Sequence, residues 1–179
     1  MSFEPQPALE GPILKLRPLR PDDYADLLAV AADQHIWEQH PARTRHEETP
    51  FQSFFDESLA SGGALAVVDG GTGRIIGSSR FHGYDPERSE VEIGWTFLAR
   101  AYWGGVYNGE LKRLMLRHAF QFVDSVVLLV GPENVRSQRA VEKIGGIREG
   151  TRPDASGNES FLYRLYAPDP PTPPGPTRR

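Results

Sequence analysis

Five consecutive apolar residues, Val126 to Val130 (VVLLV), constrain this 179-residue chain more than any other stretch. A strand with one wet face alternates apolar and polar residues, whereas a strand that is apolar throughout must be covered on both faces. Ahead of it, from Tyr107 to Val123, the residues Tyr107, Leu111, Leu114, Met115, His118 and Phe122 trace one stripe at helical spacing. Ahead of that lies EVEIGWTFL, which reads as a strand with Val91, Ile93 and Trp95 on one face and Glu90, Glu92 and Gly94 on the other. Strand, helix and strand in that order form a crossover unit, so the two strands run parallel and the connection is right-handed.

The remaining elements follow from period and punctuation. ILKLRPL reads as a first strand, and Pro21, Asp22 and Asp23 open a helix carrying Tyr24, Leu27, Leu28 and Ala31 on one face. In TPFQSFFDESLASGG, Thr49 and Gln52 make a capping-box pattern, and Phe51, Phe54, Phe55 and Leu59 share a face. ALAVVD, GRIIGSSRFHGY and EVEIGWTFL, separated by the turn signals GGTG and DPER, suggest an antiparallel meander. A last helix is predicted from Asn134 as N-cap to the glycine pair Gly145 and Gly146, followed by a closing hairpin, GIREGTRP with ESFLYRLY.

Composition removes several function classes. The net charge of −4 gives no overall case for nucleic acid. With no cysteine there is no disulfide, no thiolate metal site and no cysteine-based covalent intermediate. No apolar run approaches the roughly 20 residues that span a bilayer, so no membrane role is expected and a cytoplasmic protein is. APDPPTPPGPTRR lacks amide donors at most positions and reads as an extended, disordered tail, with a proline-rich ligand as the alternative. The expected organisation is an extension over residues 1–12, one domain over 13–166 and the tail over 167–179.

In a crossover unit, ligands collect beyond the carboxyl end of the first strand, where the loop meets the helix N-terminus. ARAYWGGVYNGE occupies that place. Unpaired N–H groups and the positive end of the helix dipole attract anions there, and glycine lets a phosphate approach the backbone. The loop matches neither G-x-G-x-x-G nor G-x-x-x-x-G-K-[ST], so it points to a phosphate or pyrophosphate without the usual marks of a dinucleotide or a nucleoside triphosphate.

The arrangement VEIGWTFLARAYWGGVYNGELKRLML followed by VVLLVGPENVRSQRAVEKIGGIREG resembles the GNAT acetyltransferases, in particular the branch of ribosomal-protein N-terminal acetyltransferases of the RimJ/RimL type. The resemblance runs from about Leu14 to about Leu165 and is most specific in PENVRSQRAVEKIGGIREG. It implies an α/β fold with a mixed, mostly antiparallel sheet of about seven strands, splayed between the strands around Glu92–Leu98 and Val126–Val130, and about four helices. It further implies acetyl-CoA as co-substrate: a pantetheine arm in the gap, a pyrophosphate on Trp103, Gly104, Gly105, Val106, Tyr107, Asn108 and Gly109, and a contact from Asn134. The family's loop usually carries small residues where this chain has Val106 and Asn108, and a longer one at Gly105. An altered acyl-CoA preference, or a CoA-binding module without turnover, are the alternatives this departure raises.

The resemblance also assigns roles. Glu92 matches the candidate base, accepting the amine proton through water, against the alternative that it pairs with an arginine or faces solvent. Ser137 matches a hydroxyl that can reach the thiol sulfur as acid, against an ordinary first-turn serine, and it is counted with the cofactor contacts. Backbone N–H groups near Phe97 and Leu98 are expected to hold the thioester oxygen. HIWEQHPARTR resembles the segment that shapes the acceptor pocket, so Trp37 either stacks on substrate or anchors the loop to the core. His82 is an alternative cleft-facing base or a satisfied strand histidine, and His118 is read as packing. HEET is not H-E-x-x-H and no metal is expected. The expected function is acetyl transfer to a primary amine, on a protein N-terminus or a small molecule, by direct attack in a ternary complex; the sequence leaves a homodimer open.

Overall fold

Period-two alternation sorts the side chains of Ala64–Asp69 onto two faces: Leu65 and Val67 pack into one core, Ala64 and Ala66 into another. The computed structural model, which describes residues 2–169, shows that this sorting extends across a whole sheet. Its strands are β1 (Leu9–Glu10), β2 (Leu14–Pro18), β3 (Ala64–Asp69), β4 (Ile75–Asp85), β5 (Glu90–Leu98), β6 (Ser125–Val130), β7 (Ile147–Pro153) and β8 (Glu159–Tyr166). Its helices are α1 (Tyr24–Ala31), α2 (Glu48–Ala60), α3 (Tyr107–Ala119) and α4 (Val135–Lys143). The strand order is β1-β2-β3-β4-β5-β6-β8-β7, antiparallel throughout except for β5 and β6, which run parallel. The sheet therefore has eight strands where about seven were expected, the addition being the two-residue pairing of Leu9 and Glu10 with Leu16 and Lys15. Most of the expected tail, residues 170–179, lies outside the described residues.

One face of the sheet is covered by Leu111, Leu114 and Met115 of α3 and Val141 of α4; the other by Leu27 and Ala31 of α1 and Phe51, Phe54 and Phe55 of α2. Of the all-apolar β6, Val126, Leu128 and Val130 pack into the α3/α4 core, while on its other face Val127 is buried and Leu129 partly so, neither within the α1/α2 core. No helix among the described residues is long and apolar enough to cross a membrane.

Two local expectations need correction. The capping box at Thr49 and Gln52 does not form: α2 starts one residue before Thr49, its N-cap is Glu47 without a side-chain bond, and Gln52 instead donates to Asp56 Oδ1 at 2.9 Å. The long helix stops at Ala119 rather than Val123, and Phe122 stays apolar because its ring meets Phe3 edge-on at 5.6 Å.

The feature that positions the site is a bulge in β5. Ser78 opposes Phe97 and Arg80 opposes Gly94, so Trp95 and Thr96 together face the single residue Ser79. Trp95 takes a left-handed φ of 52°, a strain of order 1–3 kcal/mol for a bulky side chain. The extra residue inverts the alternation downstream: Val91 and Ile93 face α3, whereas Phe97 joins the α1/α2 core and Leu98 the α3 core. Trp95 therefore does not share a face with Val91 and Ile93, as plain alternation predicts; its ring lies against His82, at 5.2 Å, and under the Arg80 guanidinium, at 4.3 Å.

Candidate active site

Pairing between β5 and β6 covers only Glu90 with Ser125, Val91 with Val126 and Glu92 with Val127. Beyond Glu92 the strands diverge. On its far side β6 stays paired with β8 at every residue from Ser125 to Val130, so it is β5, bent at its bulge, that departs. Between them opens a cleft of about 360 Å³, lined on one wall by Glu92 to Leu98 and on the other by Leu128 to Gly131 and residues of α4. The β6-facing edge of β5 beyond Glu92 has no strand partner there, and an unpaired strand edge can hydrogen-bond an extended ligand carrying amides.

At one end of the cleft α3 begins. Its N-cap is Val106, in a right-handed conformation, and no side chain caps the helix. The first intrahelical bond at this end runs from Glu110 N to Val106 O at 2.9 Å, so the N–H groups of Tyr107, Asn108 and Gly109 have no partner within the helix. Gly104 has φ +69°, and a Cβ built at Gly104, Gly105 or Gly109 meets nothing within 4 Å. The turn is open, as an anion site requires. Val106, which the family pattern replaces with a small residue, is 68% exposed and needs no left-handed backbone, so its branched side chain leaves the turn unstrained. Asn108 is the second helical residue rather than a cap, and it lines the cleft with Trp103 and Gly104. Gly105, Val106, Tyr107 and Gly109 lie beside this lining, Tyr107 edge-on to Tyr102 at 4.7 Å.

Trp103 Nε1 donates to Leu98 O at 2.9 Å, and the Arg136 guanidinium sits 3.9 Å from the Trp103 ring centroid, which bridges the two walls. Asn134 is the N-cap of α4 as expected, accepting from Ser137 N at 3.3 Å. Ser137 lines the cleft. Phe97 and Leu98 contribute backbone to the opposite wall while their side chains enter the two cores.

Glu92 stands at the point of divergence. No hydrogen bond or ion pair engages its carboxylate among the described residues, and it folds over Gly94, where a Cβ would come within 3.3 Å of Oε1. Burial pushes its pKa up to about 7, with Asp154 and Glu90 adding to the rise and Arg152 and Arg80 opposing it. A carboxylate in that range exchanges protons at neutral pH.

The structure brings together Glu92, Phe97, Leu98, Trp103, Gly104, Asn108, Asn134, Ser137 and Trp37 around one cleft. Trp37 is 2% exposed, and its Nε1 donates to Ala31 O at 2.8 Å, so it anchors the α1–α2 loop while one face reaches the cleft wall. His82 is exposed and does not line the cleft. His118 packs between Phe3 and Phe81 and its Nε2 lies 2.7 Å from Glu4 O. Among the described residues no group of three or more His, Asp or Glu comes together as a metal site.

Sequence reasoning missed Lys112. It is 5% exposed, lines the cleft, and donates to Thr96 Oγ1 at 2.6 Å, which in turn lies 2.8 Å from Ser79 Oγ. With no carboxylate beside it, burial alone lowers its pKa to about 7. The signal was its spacing: Lys112 lies one turn before Met115 and one after Asn108, inside the apolar arc of α3. Arg45 and His40, from the same loop as Trp37, and Asp154, from the turn between β7 and β8, also line the cleft and were not singled out.

Comparison with known proteins places this geometry. Residues 14–147 match the family model of the acetyltransferase (GNAT) domain. The acetyltransferase from Agrobacterium tumefaciens str. C58 is 25% identical, with a TM-score of 0.69 over 90% of this chain and 95% of that one. Mycobacterium smegmatis RimJ, solved in complex with CoA-disulfide, is 22% identical, with a TM-score of 0.71 over 96% and 93%. A candidate ribosomal-protein-serine acetyltransferase from Vibrio cholerae is 16% identical, with a TM-score of 0.74 over 92% and 100%. The last two likenesses concern the fold alone, and no curated protein matches the sequence. A matched model covering three quarters of the chain, together with a single parallel strand pair that splays at a bulge, establishes that this chain belongs to the GNAT acetyltransferase family.

Proposed function

We propose that the protein transfers an acetyl group from acetyl-CoA to a primary amine, on a protein N-terminus or a small molecule, by direct attack in a ternary complex. One observation carries this reading: a single cleft joins a helix N-terminus without a side-chain cap to a half-buried carboxylate, unpaired among the described residues, whose pKa is pushed up to about 7. The residues fit coenzyme A. The amides of Tyr107, Asn108 and Gly109 and the open surface at Gly104 and Gly105 suit its diphosphate, and the free edge of β5 suits the amides of its pantetheine arm. The likeness to a RimJ solved with a CoA disulfide supports the same ligand.

When bound, acetyl-CoA supplies the activated acyl carbon. Glu92 takes the proton of the acceptor ammonium through a water, which frees the nitrogen lone pair to attack the thioester carbonyl. Backbone N–H groups near Phe97 and Leu98 stabilise the developing oxyanion. As the carbon–sulfur bond breaks, the Ser137 hydroxyl, on the α4 wall, gives its proton to the departing thiolate and regains one from the attacking nitrogen, which sheds its second proton on becoming the amide.

Thermal-shift titration with acetyl-CoA, CoA and ATP tests the cofactor, since a ligand that binds only the folded state raises Tm. Both CoA species are expected to raise it and ATP is not. No response to either CoA species would remove the reading. A response without acetylation of any amine in a broad panel would turn the protein into a CoA-binding module.

A further inference from the structure

The cleft beyond Glu92 carries a charge layout that acetyl transfer does not itself require. Arg45, in the loop between α1 and α2, lines the cleft with its guanidinium 4.2 Å from the Phe54 ring centroid and 5.2 Å from that of Trp37. Among the described residues no group accepts a hydrogen bond from its side chain and no carboxylate pairs with it, although burial and the charge of Arg80 lower its pKa to about 10. Arg80 lies behind it on β4, 6% exposed, within reach of the same Phe54 ring. Its Nη2 donates to Ser58 Oγ at 2.6 Å, but its buried Nε has no acceptor. Glu57 attracts both guanidiniums and is paired with neither.

Two mutually repelling guanidiniums, Arg80 buried and Arg45 half-buried, with no carboxylate in an ion pair with either among the described residues, are costly to hold unless an anion joins them. His40 supplies no further charge: burial, reinforced by Arg45, drops its pKa to about 4, so it is neutral, and its Nδ1 accepts from Ala42 N at 2.9 Å. Asp154 acts on both His40 and Glu92, and Arg152 and Arg80 also act on Glu92, so Glu92 sits among charges of both signs, whereas Arg45 lines the cleft with no ion pair among the described residues. One cleft thus holds an unpaired carboxylate, Glu92, that suits an ammonium and an unpaired guanidinium, Arg45, that suits an anion. A planar fork of N–H donors suits a carboxylate in particular.

We infer that the acceptor is an amine that also bears a carboxylate, a free amino acid or a short acidic peptide, with the carboxylate held by Arg45 while the amine lies at Glu92. This rests on the reading of Glu92 as the base. A neutral amine leaves the guanidinium unpaired, and a polycation is repelled by it.

Matched pairs test the inference: amino acids against their carboxamides, and dipeptides beginning with Asp or Glu against those beginning with Asn or Gln, with thiol release from acetyl-CoA as the readout. The acidic member of a pair is expected to have a kcat/KM at least roughly tenfold higher. Arg45→Gln is expected to remove most of that advantage by raising KM, and Arg45→Lys to keep part of it. Carboxamides acetylated as well as the acids, or an equal loss for both members in Arg45→Gln, would overturn the anion site while leaving acetyl transfer intact. Should no pair be acetylated, succinate added to the CoA-loaded protein decides: a rise in Tm that Arg45→Gln abolishes upholds the site, and no rise overturns it. Loss of the CoA response itself is a separate reading and counts against the proposed function instead.

Discussion

Glu90 and Glu92 stand two residues apart on the same strand, on the face that alternation assigns to both, and the protein treats them in opposite ways. Glu90 is buried, which by itself raises a carboxylate pKa, but Arg164, at 2.5 Å, and Arg152, at 3.0 Å, hold it below the usual range. Glu92 is half-buried, receives no hydrogen bond among the described residues, and has its pKa pushed up to about 7 by desolvation. The difference lies in the neighbours. Glu90 sits where β5 and β6 are still paired and arginines of β7 and β8 reach across, whereas Glu92 sits at the last pair before the sheet opens. One carboxylate ties the second half of the sheet to the first. The other is left protonatable at the mouth of a cleft.

The largest effect expected to break this comparison is on turnover. Glu92→Gln should lower kcat/KM by roughly 10²–10⁴-fold and abolish the acid limb of the pH profile. The base works deprotonated, so the wild-type rate should rise with pH through about 7. Steady-state rates between pH 5.5 and 9 read this out, and an unchanged profile removes Glu92 from the role. Glu90→Gln should keep the acid limb but move it to slightly lower pH, because the Glu90 charge adds to the rise at Glu92.

Stability gives the next effect. Because the folded pKa of Glu92 lies above its ordinary value of 4.5, the folded state holds the proton more tightly, and stability falls as pH rises from about 4.5 to about 7. Glu92→Gln should therefore be more stable than wild type at pH 8, by no more than about 3 kcal/mol, and indistinguishable from it near pH 4. Denaturant melts at the two pH values test the sign. Glu90 behaves in reverse. Its depressed pKa contributes stability that is present above the ordinary carboxylate value and lost as pH falls below it. Glu90→Gln should cost about 2 kcal/mol at pH 7, by leaving Arg152 short of a partner and Arg164 with Glu149 alone.

The smallest effect sharpens the contrast most. Arg152 serves both carboxylates, as a hydrogen-bond donor to Glu90 and as a nearby charge that lowers the pKa of Glu92. Arg152→Gln should move the acid limb of the rate profile to higher pH, while Arg164 keeps Glu90 ionised. A limb that does not move would show that the Arg152 charge plays no part in setting the pKa of Glu92.

Much of this architecture could be read directly from the residues. VVLLV required cover on both faces, the stripe from Tyr107 to Phe122 gave the helix, and Asn134 with Gly145 and Gly146 bounded the last one; each is a local pattern whose physics acts within a turn or two of chain. The open turn at Gly104 and Gly105 was legible for the same reason, whereas Glu92 was singled out by the family resemblance alone. The Thr49 cap failed because several residues compete for one helix start, and packing of Phe51, Phe54 and Phe55 decides among them. The face of Trp95 was misread because a bulge is a relation between two strands, and alternation along one strand cannot reveal it.

The sequence by itself determined the order of elements, the parallel pair and the position of the glycine turn ahead of α3, because periodicity and backbone chemistry are properties of neighbouring residues. Only the tertiary structure decided that Glu92 goes unpaired while Glu90 does not, that Lys112 is buried, and that Arg45 and Arg80 reach one aromatic ring with no ion pair to either among the described residues. Desolvation and charge pairing depend on which groups from distant parts of the chain come within a few ångströms of one another. That information exists only once the chain has folded.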